Sequence, residues 1–109
     1  MSLQATVTVS DDTTVIHLAG ELDMSTVDTL RGAVQAHLPD AGGRLVVDLA
    51  ELTFCDSLGL GTLLVLSRTA RAHSTLLVLS RPSPYFLRMV EIAGVGAGLT
   101  LAPNEPPSH

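Results

Sequence analysis

"RLVVDLAELTFCDSLGLGTLLVLSRTARAHSTLLVL", Arg44 to Leu79, sets two short runs of apolar residues on either side of a longer apolar segment. The first run, Leu45 to Leu49, and the second, Thr75 to Leu79, are short and nearly uninterrupted, which suits strands buried on both faces. Between them, Ser57 to about His73 has the length of a helix. Leu60, Leu63 and Leu64 fall on one side of it, and Arg68, Arg71 and His73 gather late, where cations complement the helix dipole. Strand, helix, strand in this order implies two parallel neighbours joined by a right-handed crossover.

Toward the N-terminus, Leu3, Ala5, Val7 and Val9 alternate with polar residues, "SDDT" at Ser10 to Thr13 is a turn signal, and Val15 to Ala19 resumes the extended pattern, so a hairpin is predicted. From Ser25 the period changes. Val27, Leu30, Val34 and Leu38 share a helical face, Ser25 and Asp28 have capping-box spacing, and "PDAGG" ends the segment. Toward the C-terminus, Ser83 reads as a helix cap, Pro84 as the first helical residue and Gly94 as the exit, and Leu99 to Leu101 suits an edge strand. "GVGAG", Gly94 to Gly98, reads as a helix-to-strand connection. The predicted class is α/β: a mixed sheet of four to five strands with helices packed on it, residues 1–102 forming one domain and residues 103–109 a loose Pro-rich tail.

The chain has 109 residues, 46% of them hydrophobic and 16% charged, enough for one core and far from a disordered composition. Eleven acids oppose six basic residues, all arginine, for a formal charge of −5, so the basic stripe of a nucleic-acid binder is missing and no direct nucleic-acid binding is expected. The longest nearly unbroken apolar run, Leu58 to Leu66, is about half the length that crosses a bilayer, so no membrane insertion is expected. The start "MSLQATVTVSDD" lacks the pattern of a secretory signal and Cys55 is the single cysteine, which makes the cytoplasm the expected compartment.

Catalytic motifs fail on inspection. Cys55-Asp56-Ser57-Leu58-Gly59 has a serine before a helix, but cysteine stands where a nucleophile elbow needs its first glycine, and the only histidine after a later acid is His109, in the tail. No lysine is present for a phosphate-binding loop, and "GLGTLL" lacks the third glycine of a dinucleotide fingerprint. The four histidines and Cys55 show no metal-ligand spacing, and no cofactor is expected. Asp56 and Ser57 remain. They stand at the start of an apolar helix whose first backbone N–H groups need partners, and an N-cap role alone would account for either. "GELDMST", Gly20 to Thr26, places Glu21 and Asp23 in another strand-to-helix loop, which shares a rim with Asp56 if the strands at 17–19 and 45–49 are neighbours.

Taken together, "HLAGELDMSTVDTLRGAV", "LVVDLAELTFCDSLGLGTLL" and "PSPYFLRMVEIAGV" resemble the STAS domain of bacterial anti-sigma factor antagonists over about 95 residues. The resemblance implies a regulatory module and not an enzyme. Such a module binds an anti-sigma factor that is itself a serine kinase, thereby releasing a sigma factor. The kinase switches it off by phosphorylating a serine at a helix N-terminus, and a metal-dependent serine phosphatase restores it. Carried over by motif, the acceptor is Ser57, with partner-binding positions at Asp23, Met24, Ser25, Asp56, Leu58 and Gly59. Leu58 departs from the commonest pattern, which has a small or hydroxyl residue there, and reads either as retuned partner choice or as ordinary packing. An alternative within the same resemblance is a structural or regulatory subunit of a stressosome or of a lipid-transport ATPase complex.

Overall fold

The computed structural model describes residues 2–10 and 13–103. The elements run β1 (Leu3–Ser10), β2 (Thr13–Leu22), α1 (Val27–His37), β3 (Arg44–Cys55), α2 (Ser57–Ala72), β4 (Leu76–Ser80), α3 (Pro84–Ala93) and β5 (Thr100–Ala102), with single 3-10 turns at Leu38–Asp40 and Gly96–Gly98. This is the expected order. Asp11 and Asp12 of the expected turn, and Asn104 to His109 of the expected tail, lie outside the described residues.

One five-stranded sheet carries the strands in the order β1-β2-β3-β4-β5. β1 and β2 form the antiparallel hairpin, while β2, β3, β4 and β5 are parallel neighbours. Each parallel connection passes through a helix, as a crossover must. Alternation then sorts the side chains. Ile16, Leu18, Leu45, Val47, Leu77 and Leu79 point to one face, where they meet Leu30 and Val34 of α1, Leu60, Leu63 and Leu66 of α2, and Phe86 and Val90 of α3 in a single buried core. Val15, Val46 and Val78, in register with one another, form a small second cluster on the opposite face.

β3 is longer than the apolar run that announces it. It continues through "AELTFC" to Cys55, and the register with β2 shifts between His17 and Ala19 and again between Gly20 and Glu21. Each shift inserts an extra β3 residue, so the burial pattern past Leu49 loses its period of two. α3 follows its sequence signals: the Ser83 side chain accepts from Phe86 N–H, Pro84 opens the helix, and Gly94 leaves it at φ 69°, a left-handed conformation that glycine adopts freely. α1 departs from them. It begins at Val27 with Thr26 as N-cap residue, and the Ser25 hydroxyl donates to Asp23 Oδ1 at 2.7 Å instead of capping the helix. Asp28 pairs with Arg31 and reaches no capping position.

Candidate functional site

Parallel neighbours end on the same rim, so β2 and β3 deliver their following loops side by side. The join is tight. Asp56 N–H donates to the Leu22 carbonyl at 3.1 Å, tying the end of β3 to the end of β2. Gly59, in the first turn of α2, lies against the same residue: a Cβ built there would stand 2.8 Å from Leu22 Cγ, 2.9 Å from Leu22 O and 3.0 Å from Cys55 Sγ. Only a residue without a side chain lets the helix start this close to the sheet. Gly61 has nothing within 4 Å of such an atom.

Asp56 is the N-cap of α2. Its backbone is extended, at φ −93° and ψ −179°, and its Oδ1 accepts from Gly59 N–H at 2.7 Å. Capping is thereby done by the aspartate, and Ser57 occupies the first helical position with an exposed side chain. Among the described residues no hydrogen bond engages the Ser57 hydroxyl. The two readings left open by the sequence separate here: Asp56 serves the fold, and the serine does not.

The neighbouring loop is held by its own side chains. Asp23 Oδ1 accepts from the backbone N–H and the hydroxyl of Ser25, at 2.9 and 2.7 Å. The bond from the Ser25 hydroxyl does most to hold the Asp23 carboxyl below its ordinary range, and the Ser25 backbone and Thr26 hydroxyl add to it. Buried Thr26 receives Asp23 N–H at 2.9 Å and donates to the Glu21 carbonyl at 2.8 Å, while the Asp23 carbonyl accepts from the N–H groups of Thr26 and Val27. The loop therefore keeps its shape while Met24, 76% exposed, projects from it. The Asp56–Leu22 hydrogen bond brings this loop to the same rim as the start of α2.

Of the sequence-derived positions, Ser57, Met24, Ser25 and Leu58 are exposed and Asp23 and Asp56 are half-buried. Gly59 is buried, and its lack of a side chain sets the spacing between α2 and Leu22. Although α2 is apolar along most of its length, it is not covered all round: Leu58 is 46% exposed and Val65 55%. Together with Arg31, Gln35, Gly61 and Thr62 they line a groove of about 380 Å³ between α1 and α2.

Two features were not read from the sequence. Tyr85, half-exposed in the first turn of α3, donates its hydroxyl to the Cys55 carbonyl at 3.1 Å and so braces the strand end just before Asp56. On the sheet face away from the helices, buried Asp48 accepts from Arg81 through both carboxylate oxygens, at 3.1 and 2.7 Å, and from His17 Nδ1 at 2.9 Å. Burial pushes its carboxyl up, but these bonds and one from Ala50 N–H outweigh it and hold the group below the ordinary range. An acid inside "VVDL" required such partners, and that was the available signal. Cys55 is buried, which together with the charge of Asp56 pushes its thiol up to about 12, so it is unreactive at neutral pH. Among the described residues no three His, Cys, Asp or Glu side chains gather to hold a metal ion.

The family model described as "Mlab, STAS domain" matches residues 5–102. The chain belongs to the STAS domain family. This STAS domain is 31% identical over 98 residues to an anti-sigma F factor antagonist of Lysinibacillus sphaericus, covering 89% of the chain and 84% of that relative. The solved structure of the anti-sigma factor antagonist SpoIIAA in its unphosphorylated form superposes with a TM-score of 0.68 at 28% identity, over 93% of this chain and 87% of that one. The Bacillus cell-fate determinant SpoIIAA in its phosphorylated form superposes with a TM-score of 0.67 at 28% identity, over 93% and 91% of the two chains. Among the described residues no helix is long and apolar enough to cross a membrane.

Proposed function

We propose that this STAS domain is an anti-sigma factor antagonist: it binds a serine-kinase anti-sigma factor, so releasing a sigma factor, and is switched off by phosphorylation of Ser57. The observation that carries the reading is the division of labour at the start of α2, where Asp56 caps the helix and the Ser57 side chain stands exposed with no hydrogen bond among the described residues. A hydroxyl committed to the cap could not be modified without loss of the helix terminus. This one can.

Phosphate at Ser57 adds roughly −1.5 to −2 charges and three strong acceptors. Within the domain the effects oppose one another, because a helix N-terminus favours an anion by about 0.3–1 kcal/mol while the adjacent carboxylate of Asp56 repels it. The fold is retained. At a docked surface the balance differs: an anion buried without a positive partner costs several kcal/mol, and about 4 kcal/mol is a thousandfold loss of affinity. Exposed Leu58, next in the chain to the serine, and exposed Met24 of the neighbouring loop offer apolar contact to a partner, and Asp23 and Asp56 offer polar groups. The chain acts as substrate and not as catalyst, and a metal-dependent serine phosphatase reverses the modification.

The test is incubation of the purified domain with the anti-sigma kinase and ATP, followed by mapping of the phosphate by mass spectrometry. One phosphate on Ser57, absent from Ser57→Ala, is expected. Phosphate on another residue, with Ser57 unmodified, overturns the assignment.

A further inference from the structure

The outer edge of β1 is long and unprotected. The strand "LQATVTVS" carries no charge, no proline and no bulge: all eight residues, Leu3 to Ser10, run in unbroken register with β2. Charges, prolines and bulges are the usual means of protecting an exposed edge, and a long edge without them is a template for strand addition. β1 ends the sheet, and among the described residues no strand lies beyond it.

Register fixes which groups face outward. The Ser2 carbonyl accepts from Glu21 N–H at 2.9 Å, and Leu3 stands opposite Gly20, so the even-numbered residues Gln4, Thr6, Thr8 and Ser10 exchange their hydrogen bonds with β2. Leu3, Ala5, Val7 and Val9 then present N–H and C=O to the open side. We propose that this edge joins a second copy of the chain, β1 against β1 and antiparallel, with Thr6 on the two-fold axis.

That register satisfies every outward group. Leu3 meets the second copy's Val9 and Ala5 meets its Val7, each pair exchanging two hydrogen bonds, so the four outward residues of each strand form eight bonds in all. This is close to the roughly ten of a typical interface. The side chains sort equally well. On the helix face every cross-strand pair is apolar, and Val9, 67% exposed in the single chain, gains a partner in Leu3. On the other face Thr6 meets Thr6 and Gln4 meets Thr8, all uncharged and exposed. A two-fold axis brings identical residues together, so an uncharged edge suits self-pairing in a chain of net charge −5.

The helix layer leaves room. α1 packs over β1 and β2 and also touches α2, sharing the groove lined by Arg31 and Gln35. By helical spacing its opposite flank carries Thr29, Ala33 and Ala36, with His37 at its end folded back on the Ala33 carbonyl at 2.9 Å, so a second α1 alongside meets mostly small side chains. Ser57 lies on the rim between β2 and β3, and the pairing leaves it open. The dimer is independent of the phosphoserine reading.

Sedimentation equilibrium of the full chain from micromolar to millimolar concentration should show a monomer–dimer equilibrium. Thr6→Lys places two like charges opposite each other on the axis and should raise the dimer dissociation constant at least about tenfold, with an unchanged circular dichroism spectrum. Thr6→Cys should form a disulfide dimer on mild oxidation, because directly opposed non-hydrogen-bonded residues stand about 4.5 Å apart at Cα, within disulfide reach. Thr8→Cys should not, since its opposite is Gln4. A chain monomeric throughout the range overturns the proposal, as does cross-linking of Thr8→Cys as readily as Thr6→Cys, or a Thr6→Lys dimer as tight as the parent's.

Discussion

Gly59 and Gly61 stand two residues apart in one helix, yet alanine should act on them with opposite sign. At Gly59 the new methyl would lie 2.8 Å from Leu22 Cγ and 2.9 Å from the Leu22 carbonyl oxygen. The first contact could be relieved by a rotamer change; the second is backbone, and that carbonyl already accepts from Asp56 N–H at 3.1 Å. Moving α2 outward stretches this bond. Overpacking costs about 1–3 kcal/mol and the weakened hydrogen bond about 1, against a helix-propensity gain from glycine to alanine of at most about 1. The net is a loss of about 1–3 kcal/mol. At Gly61 the methyl meets nothing within 4 Å, so the propensity gain stands alone and Gly61→Ala should stabilise by about 0.5–1 kcal/mol. Urea denaturation followed by circular dichroism resolves both, provided the slope is unchanged between variants. Equal stabilisation by the two substitutions would refute the close approach of α2 to Leu22.

Asp56→Ala removes the N-cap acceptor of Gly59 N–H and should cost about 1 kcal/mol in the same denaturation assay, whereas Ser57→Ala should stay within about 0.5 kcal/mol of the parent. Leu58→Ala, at an exposed position, should likewise leave stability within about 0.5 kcal/mol while weakening calorimetric binding to the anti-sigma partner by tenfold or more. Asp48→Asn should destabilise by about 1–2 kcal/mol at neutral pH, the low end for a paired buried carboxylate because Arg81 and His17 are partly solvated. Because the folded-state pKa of Asp48 is depressed, its contribution is complete above the ordinary carboxylate value near 4 and fades as pH falls through the folded value, so parent and Asp48→Asn should converge in acid. Parallel stability curves for the two down to pH 2 would remove Asp48 from the account.

The order of elements was legible because each carried a local signal of a single period. β1 alternates by two, α1 repeats Val27, Leu30 and Val34 on one face, and Ser83, Pro84 and Gly94 bracket α3. Signals failed where tertiary structure overrode them. β3 beyond Leu49 is bulged twice against β2, which scrambles the alternation that would have announced it. Ser25 has the spacing of a cap but its hydroxyl is taken by Asp23, because the loop needs Thr26 to bind Glu21 and Asp23 at once. In α2, Leu58 and Val65 look like core residues, and only the packing of α1 beside them leaves the groove open. The position of Ser57 could be read from motif order, whereas its freedom could not: which of Asp56 and Ser57 makes the cap is decided by the extended backbone of Asp56. Tyr85 and the Asp48 cluster depend on contacts between residues 30 or more apart, which no local pattern reports.

The reading depends on a serine whose charge state governs docking while the scaffold stays indifferent to it. The most direct measurement takes the domain with and without enzymatically added phosphate on Ser57, and records both its melting temperature and its calorimetric affinity for the anti-sigma kinase. A shift in melting of only a few degrees, with affinity reduced about a thousandfold or more, is the expected pair of results. Equal affinities for the two forms, or a phosphorylated domain that no longer folds, would contradict it.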